Sequence, residues 1–133
     1  MTYQVLSGEK IEHDERTGAM RGDASGKCRP DLIGTHVQRR LGDHLQKGAA
    51  KYGERNWELG QPVSRYVASL YRHLLQWREG DEVEDHLAAA VFNLMGIIHV
   101  QEQIRLGLLP LDLDDYHRWT EAARAARREE LIR

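Results

Sequence analysis

The hydrophobic positions of this chain recur at helical spacing over successive segments. The first segment runs from Asp31 to Tyr52 and ends at Gly53, because its apolar residues follow one another at steps of three or four. A second helix is predicted from Pro62, which suits a first helical turn, to Gly80. The apolar stripes are Ile33, Val37, Leu41, Leu45, Ala49 and Tyr52 in the first helix, and Val63, Tyr66, Val67, Leu70, Leu74 and Trp77 in the second.

A third helix follows directly. Asp81 with Glu84 three residues later forms a capping-box pattern, which predicts a helix from Asp81 to about Leu106. The sequence "GLLP" then interrupts the pattern, and Asp112 or Asp114 is expected to cap a fourth helix through the Ala- and Arg-rich C-terminal residues. The apolar positions of the third helix are Leu87, Ala90, Val91, Leu94, Ile97, Ile98 and Val100.

Residues 1–30 differ from the rest, because Gly and charged residues dominate and the apolar positions show no period. The pattern as a whole predicts an all-α fold, a helical bundle of three core helices plus a C-terminal helix, with an irregular N-terminal arm. The expected boundaries are 1–30 for the arm, 31–106 for the helical core and 107–133 for the C-terminal helical extension.

Composition narrows the class of protein. The chain has 133 residues, the size of one domain, with 41% hydrophobic and 30% charged residues. Cys28 is the only cysteine, so no intrachain disulfide can form and an intracellular setting is expected. The net charge of −2 argues against a broad basic surface for nucleic acid. The apolar run "HLAAAVFNLMGIIHV" is short and interrupted by His and Asn, so no membrane partner is expected.

Two helices carry polar residues that a simple core stripe does not explain. The second helix has a polar face, which is either solvated or used for binding. In the third helix Asn93 lies among apolar neighbours, where an unpaired buried amide would cost about 1–3 kcal/mol. Asn93 therefore needs a partner, either a structural hydrogen bond or a ligand. The polar face of the second helix consists of Arg65, Ser69, Arg72 and Gln76, with His73 beside them.

Histidines and carboxylates gather at the turn between the second and third helices. His73 and His86 flank this turn, and antiparallel helices would bring them to one end of the bundle. Imidazoles with carboxylates can bind Mg²⁺, Mn²⁺ or a harder transition metal, although a hydrated acidic turn is the ordinary alternative. The acidic residues of the turn are Glu79, Asp81, Glu82, Glu84 and Asp85; the other helical histidines, His36, His44, His99 and His117, are expected to be ordinary surface or core residues.

The segment "GAAKYGERNWELG" between the first two helices has the composition of a nucleotide-binding segment. Asn56 offers an amide that can contact a base edge, and Trp57 offers a ring that can stack on a base. Cations near it could hold phosphates, with Arg making bidentate contacts. A groove for single-stranded nucleic acid would use the same residue types. The cations are Lys47, Lys51, Arg55, Arg65 and Arg72.

The runs "GKCRPDLIG", "KGAAKYGERNW", "SRYVASLYRHLLQW", "EGDE" and "DHLAAAVFNL" resemble, in order and spacing, the phage dATP/dGTP diphosphohydrolases, a MazG-like family. The likeness covers Gly26 to Ile98. It implies an all-α enzyme that cleaves purine deoxynucleoside triphosphates, dGTP or dATP, to the monophosphate and pyrophosphate with Mg²⁺ or Mn²⁺. It also implies a homo-oligomer, a dimer or tetramer, in the cytoplasm of an infected bacterial host if the chain is phage-encoded.

MazG-like enzymes hold metal with Glu-x-x-Glu on one helix and Glu-x-x-Asp on the next, whereas this chain has Arg72–His73 to Gln76 and His86 to Ala89 there. The metal ligands are therefore expected among other carboxylates. A scaffold without both acidic pairs could instead sequester a nucleotide without hydrolysing it, or act only through helix pairing. The candidates are Glu54, Glu79, Glu82 and Asp85 for metal; His73, His86 and Glu79 for catalysis; and Lys47, Lys51, Arg55, Asn56, Trp57, Arg65, Arg72 and Asn93 for the nucleotide.

Overall fold

The computed structural model describes residues 10–116 and 121–132. The described residues divide into two compact units, one that ends at residue 33 and one that begins at residue 34. The structure is mostly helical and confirms the predicted all-α bundle with three core helices. Its elements are the strands β1 (Ile11–His13) and β2 (Met20–Gly22) and the helices α1 (Thr35–Tyr52), α2 (Val63–Arg78), α3 (His86–Arg105) and α4 (Glu121–Ile132), with 3₁₀ turns at Pro30–Leu32, Asn56–Leu59 and Leu111–Leu113.

The first unit contains a short β-hairpin, so the prediction of an irregular arm is wrong for residues 11–22. β1 and β2 pair antiparallel, with Ile11 opposite Gly22. The turn between them is closed by the Asp14 carboxylate, which accepts hydrogen bonds from the backbone N–H groups of Arg16 (2.9 Å) and Thr17 (3.3 Å). Strands of three residues are too short for alternation of apolar and polar positions to be visible in the sequence.

Helix α1 begins four residues later than the sequence pattern predicts. Pro30–Leu32 form a single 3₁₀ turn, after which Ile33 and Gly34 are extended, with ψ of 122° and 139°. The helix then runs from Thr35 to Tyr52 and ends at Gly53, whose φ of 95° suits glycine. A proline at residue 30 therefore starts a separate turn and not the long helix.

Helices α2 and α3 form the centre of the second unit. Val63 and Tyr66 of α2 pack with Val100 and Ile104 of α3 in a buried cluster. By length and composition α3 could cross a membrane, but here it is the core helix, packed against both α1 and α2. The partly buried residues around the cluster are Val67, Phe92, Ile97, Leu109, Leu111 and Leu113.

The predicted apolar stripes are buried only in part: Val63 and Tyr66 of α2 and Ala90 and Val100 of α3 are buried, whereas other stripe residues are exposed. Trp77 is 54% exposed, and on α3 Leu94 and Ile98 are 47% and 62% exposed. From Ser69 to His73 the polar face of α2 is turned toward α3, and both side chains contact that helix. Polar groups on both helices pair there, so burial no longer follows hydrophobicity.

Helix α3 begins at His86, so the predicted start at Asp81 is also wrong. Asp85 is the N-cap, and its carboxylate accepts a hydrogen bond from the backbone N–H of Ala88 at 3.1 Å. Asp81 instead accepts a hydrogen bond from the N–H of Val83 at 2.8 Å, within a non-helical turn. The chain uses residues 79–85 to reverse direction between α2 and α3 before the helix can start.

The segment after α3 covers the core and contacts the start of α2. Tyr116 is not helical, so neither Asp112 nor Asp114 caps the fourth helix as predicted; residues 117–120 lie outside the described part. The carboxylate of Asp115 accepts hydrogen bonds from Ser64, from the backbone N–H at 2.9 Å and from the hydroxyl at 2.6 Å. This contact satisfies one of the free N–H groups in the first turn of α2.

Replacement of Asp115 by Asn should make stability less dependent on pH. The hydrogen bond from the Ser64 hydroxyl lowers the pKa of Asp115 below 3.8. The contribution of the Asp115 carboxylate to the stability of the fold is therefore present above about pH 4 and is lost as pH falls through the lowered pKa. We expect Asp115→Asn to reduce the free energy of unfolding by about 0.5–1 kcal/mol at pH 7, with the difference shrinking below pH 4. Urea unfolding at pH 7, 5 and 3 measures this, and Asp112→Asn, in the same exposed segment, should show no comparable loss. An equal loss in both variants would contradict the role of Asp115.

Candidate functional site

A cavity of about 940 Å³ lies in the second unit, along the second half of α1 and the connection that follows it. The connection forms one wall through residues 53–58, and Tyr66 of α2 and Phe92 of α3 also line the cavity. The segment that the sequence singled out for nucleotide binding is therefore part of the cavity wall. The lining residues are Gly42, His44, Leu45, Gln46, Gly48, Ala49, Tyr52, Gly53, Glu54, Arg55, Asn56, Trp57, Glu58, Gln61, Tyr66 and Phe92.

The connection holds its side chains in place by an unusual backbone and by contacts with α3. Arg55 has left-handed backbone angles, φ 60° and ψ 14°, immediately before the 3₁₀ turn, and its guanidinium pairs with Glu58. The Trp57 ring meets His99 of α3 edge-on, with ring centroids 4.9 Å apart. His99 Nε2 lies 3.0 Å from the backbone carbonyl of Glu58. A histidine expected to be ordinary thus fixes the predicted stacking ring.

Aromatic side chains and a buried hydroxyl form the inner side of the cavity. His44 packs on Phe92 with ring centroids 5.0 Å apart. Burial lowers the pKa of His44, and the neighbouring His73 lowers it further, so His44 is neutral near pH 7. The Tyr66 hydroxyl is buried and has no hydrogen-bond partner within the described part of the chain. His44 is predicted to be an ordinary surface or core residue, and only the packing of α1 against α3 places it here.

The histidines that flank the turn do come together, as predicted. His73 Nδ1 lies 2.9 Å from His86 Nδ1, and Glu84 Oε1 lies 3.7 Å from each. On the other side of the His86 ring, Nε2 lies 3.5 Å from Asp81 Oδ2, within ion-pair reach but without hydrogen-bond geometry. His86 is only 3% exposed. The result is a compact group of nitrogen and oxygen atoms that could hold a metal ion, and its charges act on the nearby His44.

Comparison with known proteins assigns the family. Residues 17–107 match the model of the N-terminal region of dATP/dGTP diphosphohydrolases. The chain belongs to this family. The match contains α1, α2 and α3, and with them the whole cavity and the histidine group. Comparisons with curated proteins and with solved structures give no match. The family predicted from the sequence runs is therefore confirmed.

The metal expected for a dATP/dGTP diphosphohydrolase was Mg²⁺ or Mn²⁺, and the histidine group does not suit Mg²⁺. Mg²⁺ prefers oxygen ligands in regular octahedral geometry, whereas His73, Glu84 and His86 offer two imidazole nitrogens and one carboxylate. Imidazole ligands favour transition metals. Glu84, whose Oε1 lies 3.7 Å from Nδ1 of both histidines, is not among the predicted metal ligands.

The four carboxylates predicted as metal ligands lie outside the histidine group. Glu54 lines the cavity, and Glu79 and Glu82 are exposed on the turn. Asp85 is held by Arg40, whose two hydrogen bonds of 2.7 and 2.6 Å lower its pKa to about 2. Sequence spacing could not tell these acids apart, because the turn has no regular period.

The residues predicted to bind nucleotide fall into three places. Arg55, Asn56 and Trp57 line the cavity. Asn93 is buried, and its amide donates to Ser69 Oγ at 3.2 Å and to the Ala89 carbonyl at 2.8 Å, so the structural partner considered from the sequence is present. The remaining cations lie outside the cavity lining, on exposed parts of α1 and α2: Lys47, Lys51, Arg65 and Arg72.

Proposed function

We propose that this chain hydrolyses purine deoxynucleoside triphosphates, dGTP or dATP, to the monophosphate and pyrophosphate. The observation that carries the proposal is the cavity wall formed by Arg55, Asn56 and Trp57 inside the family-matched residues. The volume of about 940 Å³ is in the range of small-molecule sites. Trp57 would stack on the base, Asn56 would contact its edge, and Arg55 would meet the phosphates.

In the proposed reaction, water attacks the α-phosphorus. The bond from that phosphorus to the oxygen that bridges it to the β-phosphate breaks, and pyrophosphate leaves with that oxygen. The water loses a proton, which a neutral imidazole can accept near pH 7. The predicted acceptors His73 and His86 lie in the histidine group, and His44 is the imidazole that lines the cavity. Glu79, the third predicted catalytic residue, is exposed on the turn.

The proposal includes self-association, as a dimer or tetramer. An apolar groove of about 460 Å³ runs between α1, α2 and α3, and Leu74 and Leu94 on its wall are 40% and 47% exposed. Exposed apolar surface of this kind is typical of interaction sites. Light scattering after gel filtration measures the mass of the assembly.

The proposed location remains the cytoplasm of an infected bacterial host, if the chain is phage-encoded.

Hydrolysis is tested with a panel of the eight common ribo- and deoxynucleoside triphosphates, each with Mg²⁺ or Mn²⁺. We expect dGTP or dATP to give monophosphate and pyrophosphate in equal amounts, as measured by chromatography, with slower turnover of pyrimidine nucleotides. Release of inorganic phosphate together with the nucleoside diphosphate would mean cleavage between the β- and γ-phosphates and would contradict the proposed reaction. No turnover of any nucleotide with either metal would contradict the enzyme proposal.

A second candidate function is sequestration of the nucleotide without hydrolysis. Its support is the replacement of both MazG-type acidic pairs by Arg72–His73 to Gln76 and by His86 to Ala89. Recovery of intact dGTP after the protein–nucleotide complex is denatured would favour sequestration, whereas recovery of dGMP would favour catalysis.

A further inference from the structure

We propose that His73, Glu84 and His86 bind one divalent transition-metal ion through the two Nδ1 atoms and a Glu84 carboxylate oxygen. The ion belongs to the class that accepts imidazole ligands, such as Co²⁺ or Zn²⁺, and not to the class of Mg²⁺. The proposal concerns metal binding alone and does not depend on the hydrolysis of any nucleotide.

The spacing of the three ligand atoms suits a single ion. Metal–nitrogen and metal–oxygen bonds of roughly 2.0–2.2 Å place neighbouring ligand atoms about 3–3.6 Å apart. The observed separations are 2.9 Å between the two Nδ1 atoms and 3.7 Å from each to Glu84 Oε1. Small side-chain rotations would therefore bring all three atoms to one ion.

Asp81 supports the ligand role of His86 from the far side of the ring. A metal-bound histidine commonly donates its other N–H to a carboxylate, which fixes the tautomer and the orientation of the ring. Asp81 Oδ2 lies 3.5 Å from His86 Nε2 without hydrogen-bond geometry, and a small rotation of the Asp81 side chain would let it accept the Nε2 proton and keep it on that nitrogen. The lone pair of His86 Nδ1 then points toward His73 and Glu84. Asp81 is thus a positioning residue.

A hydrogen bond between the two imidazoles is the competing explanation. One Nδ1–H could donate to the other Nδ1 at 2.9 Å without any metal. That bond needs no carboxylate, so it leaves the approach of Glu84 to both nitrogens without a role. The two explanations therefore differ in what the loss of the Glu84 charge should do.

Metal binding is measured on the full chain, without an affinity tag, after treatment with a chelator. Co²⁺ is titrated by calorimetry and followed by its visible absorption, which reports nitrogen ligands. We expect one Co²⁺ per chain and no displacement by a tenfold excess of Mg²⁺. Glu84→Gln and His73→Gln should each weaken Co²⁺ binding at least tenfold, and Asp81→Asn should weaken it by about 10–100-fold.

Matched controls come from the same turn. Glu79→Gln and Glu82→Gln remove the same charge at exposed positions outside the group and should leave Co²⁺ affinity within twofold of the original chain. Glu84 is half exposed, so Glu84→Gln should retain the far-ultraviolet circular dichroism of the original chain. Unchanged Co²⁺ affinity in Glu84→Gln, an equal loss in Glu82→Gln, or displacement by equimolar Mg²⁺ would overturn the proposal.

Discussion

Replacement of Gly96 by Ala should lower the free energy of unfolding by about 1–3 kcal/mol. A Cβ at residue 96 would lie 2.6 Å from Tyr66 Cζ and 2.9 Å from Cδ1, and closer still to Cε1. Tyr66 is 6% exposed and packs in the cluster with Val63, Val100 and Ile104, so moving its ring away from residue 96 would disturb that packing. Urea unfolding followed by circular dichroism measures the change. The α2–α3 contact would have to open to accept the methyl group.

Gly42→Ala is the matched control. Gly42 also lies inside a helix, but a Cβ there would meet no atom within 4 Å among the described residues. Ala is the better helix former, so this variant should be stabilised by about 0.5–1 kcal/mol. Equal effects of the two substitutions would contradict the tight contact between Gly96 and Tyr66. A loss in Gly96→Ala alone would confirm that Gly96 sets the spacing of α2 and α3.

The sequence predicted the helices because their period is a local property. Apolar positions three or four residues apart predicted α1, α2 and α3 close to where the structure has them. The predicted ends of α1 and α2, at Gly53 and Gly80, are also close to the observed ends. Helix starts were less accurate, since Asp81 and Asp85 are both good N-caps and only the path of the turn selects Asp85. A capping pattern identifies candidates and not the one that folding uses.

Which face of a helix is buried could be predicted only in part. Leu74 and Trp77 fit an apolar stripe, yet they are exposed, while Ser69 and His73 face α3. The partners of these polar groups are on another helix, at separations of 24 residues for Ser69–Asn93 and 13 for the two histidines. No local pattern contains such pairings.

The candidate site, too, could be predicted where residue type is informative and not where packing between helices decides. Arg55, Asn56 and Trp57 were selected by residue type, and they do line a cavity. His44 was passed over, because a histidine within an amphipathic helix carries no signal until α1 packs against Phe92. Glu84 was missed for a related reason, since five carboxylates in one turn are equivalent until the backbone orients them.

Replacement of Trp57 by Ala should raise KM for the purine deoxynucleoside triphosphate roughly 10–100-fold, if the chain acts as proposed. Stacking of a base on an aromatic ring contributes about 1–3 kcal/mol, and Trp57 lines the cavity with its ring fixed by the edge contact to His99. Because stacking holds the base both before and during reaction, kcat should change less than KM. Trp57→Phe retains an aromatic face and should recover most of the affinity.

Trp77→Ala provides the comparison for this substitution. Trp77 is 54% exposed on α2 and lies outside the cavity lining, so its loss removes the same side chain without touching the proposed base site. Initial rates over a range of dGTP concentrations, with thermal melts of each variant, separate lost binding from lost folding. The same KM in Trp57→Ala and Trp77→Ala would show that Trp57 does not hold the base. A higher KM in Trp57→Ala at an unchanged melting temperature would place the base against Trp57, because only that side chain of the cavity wall would then have changed.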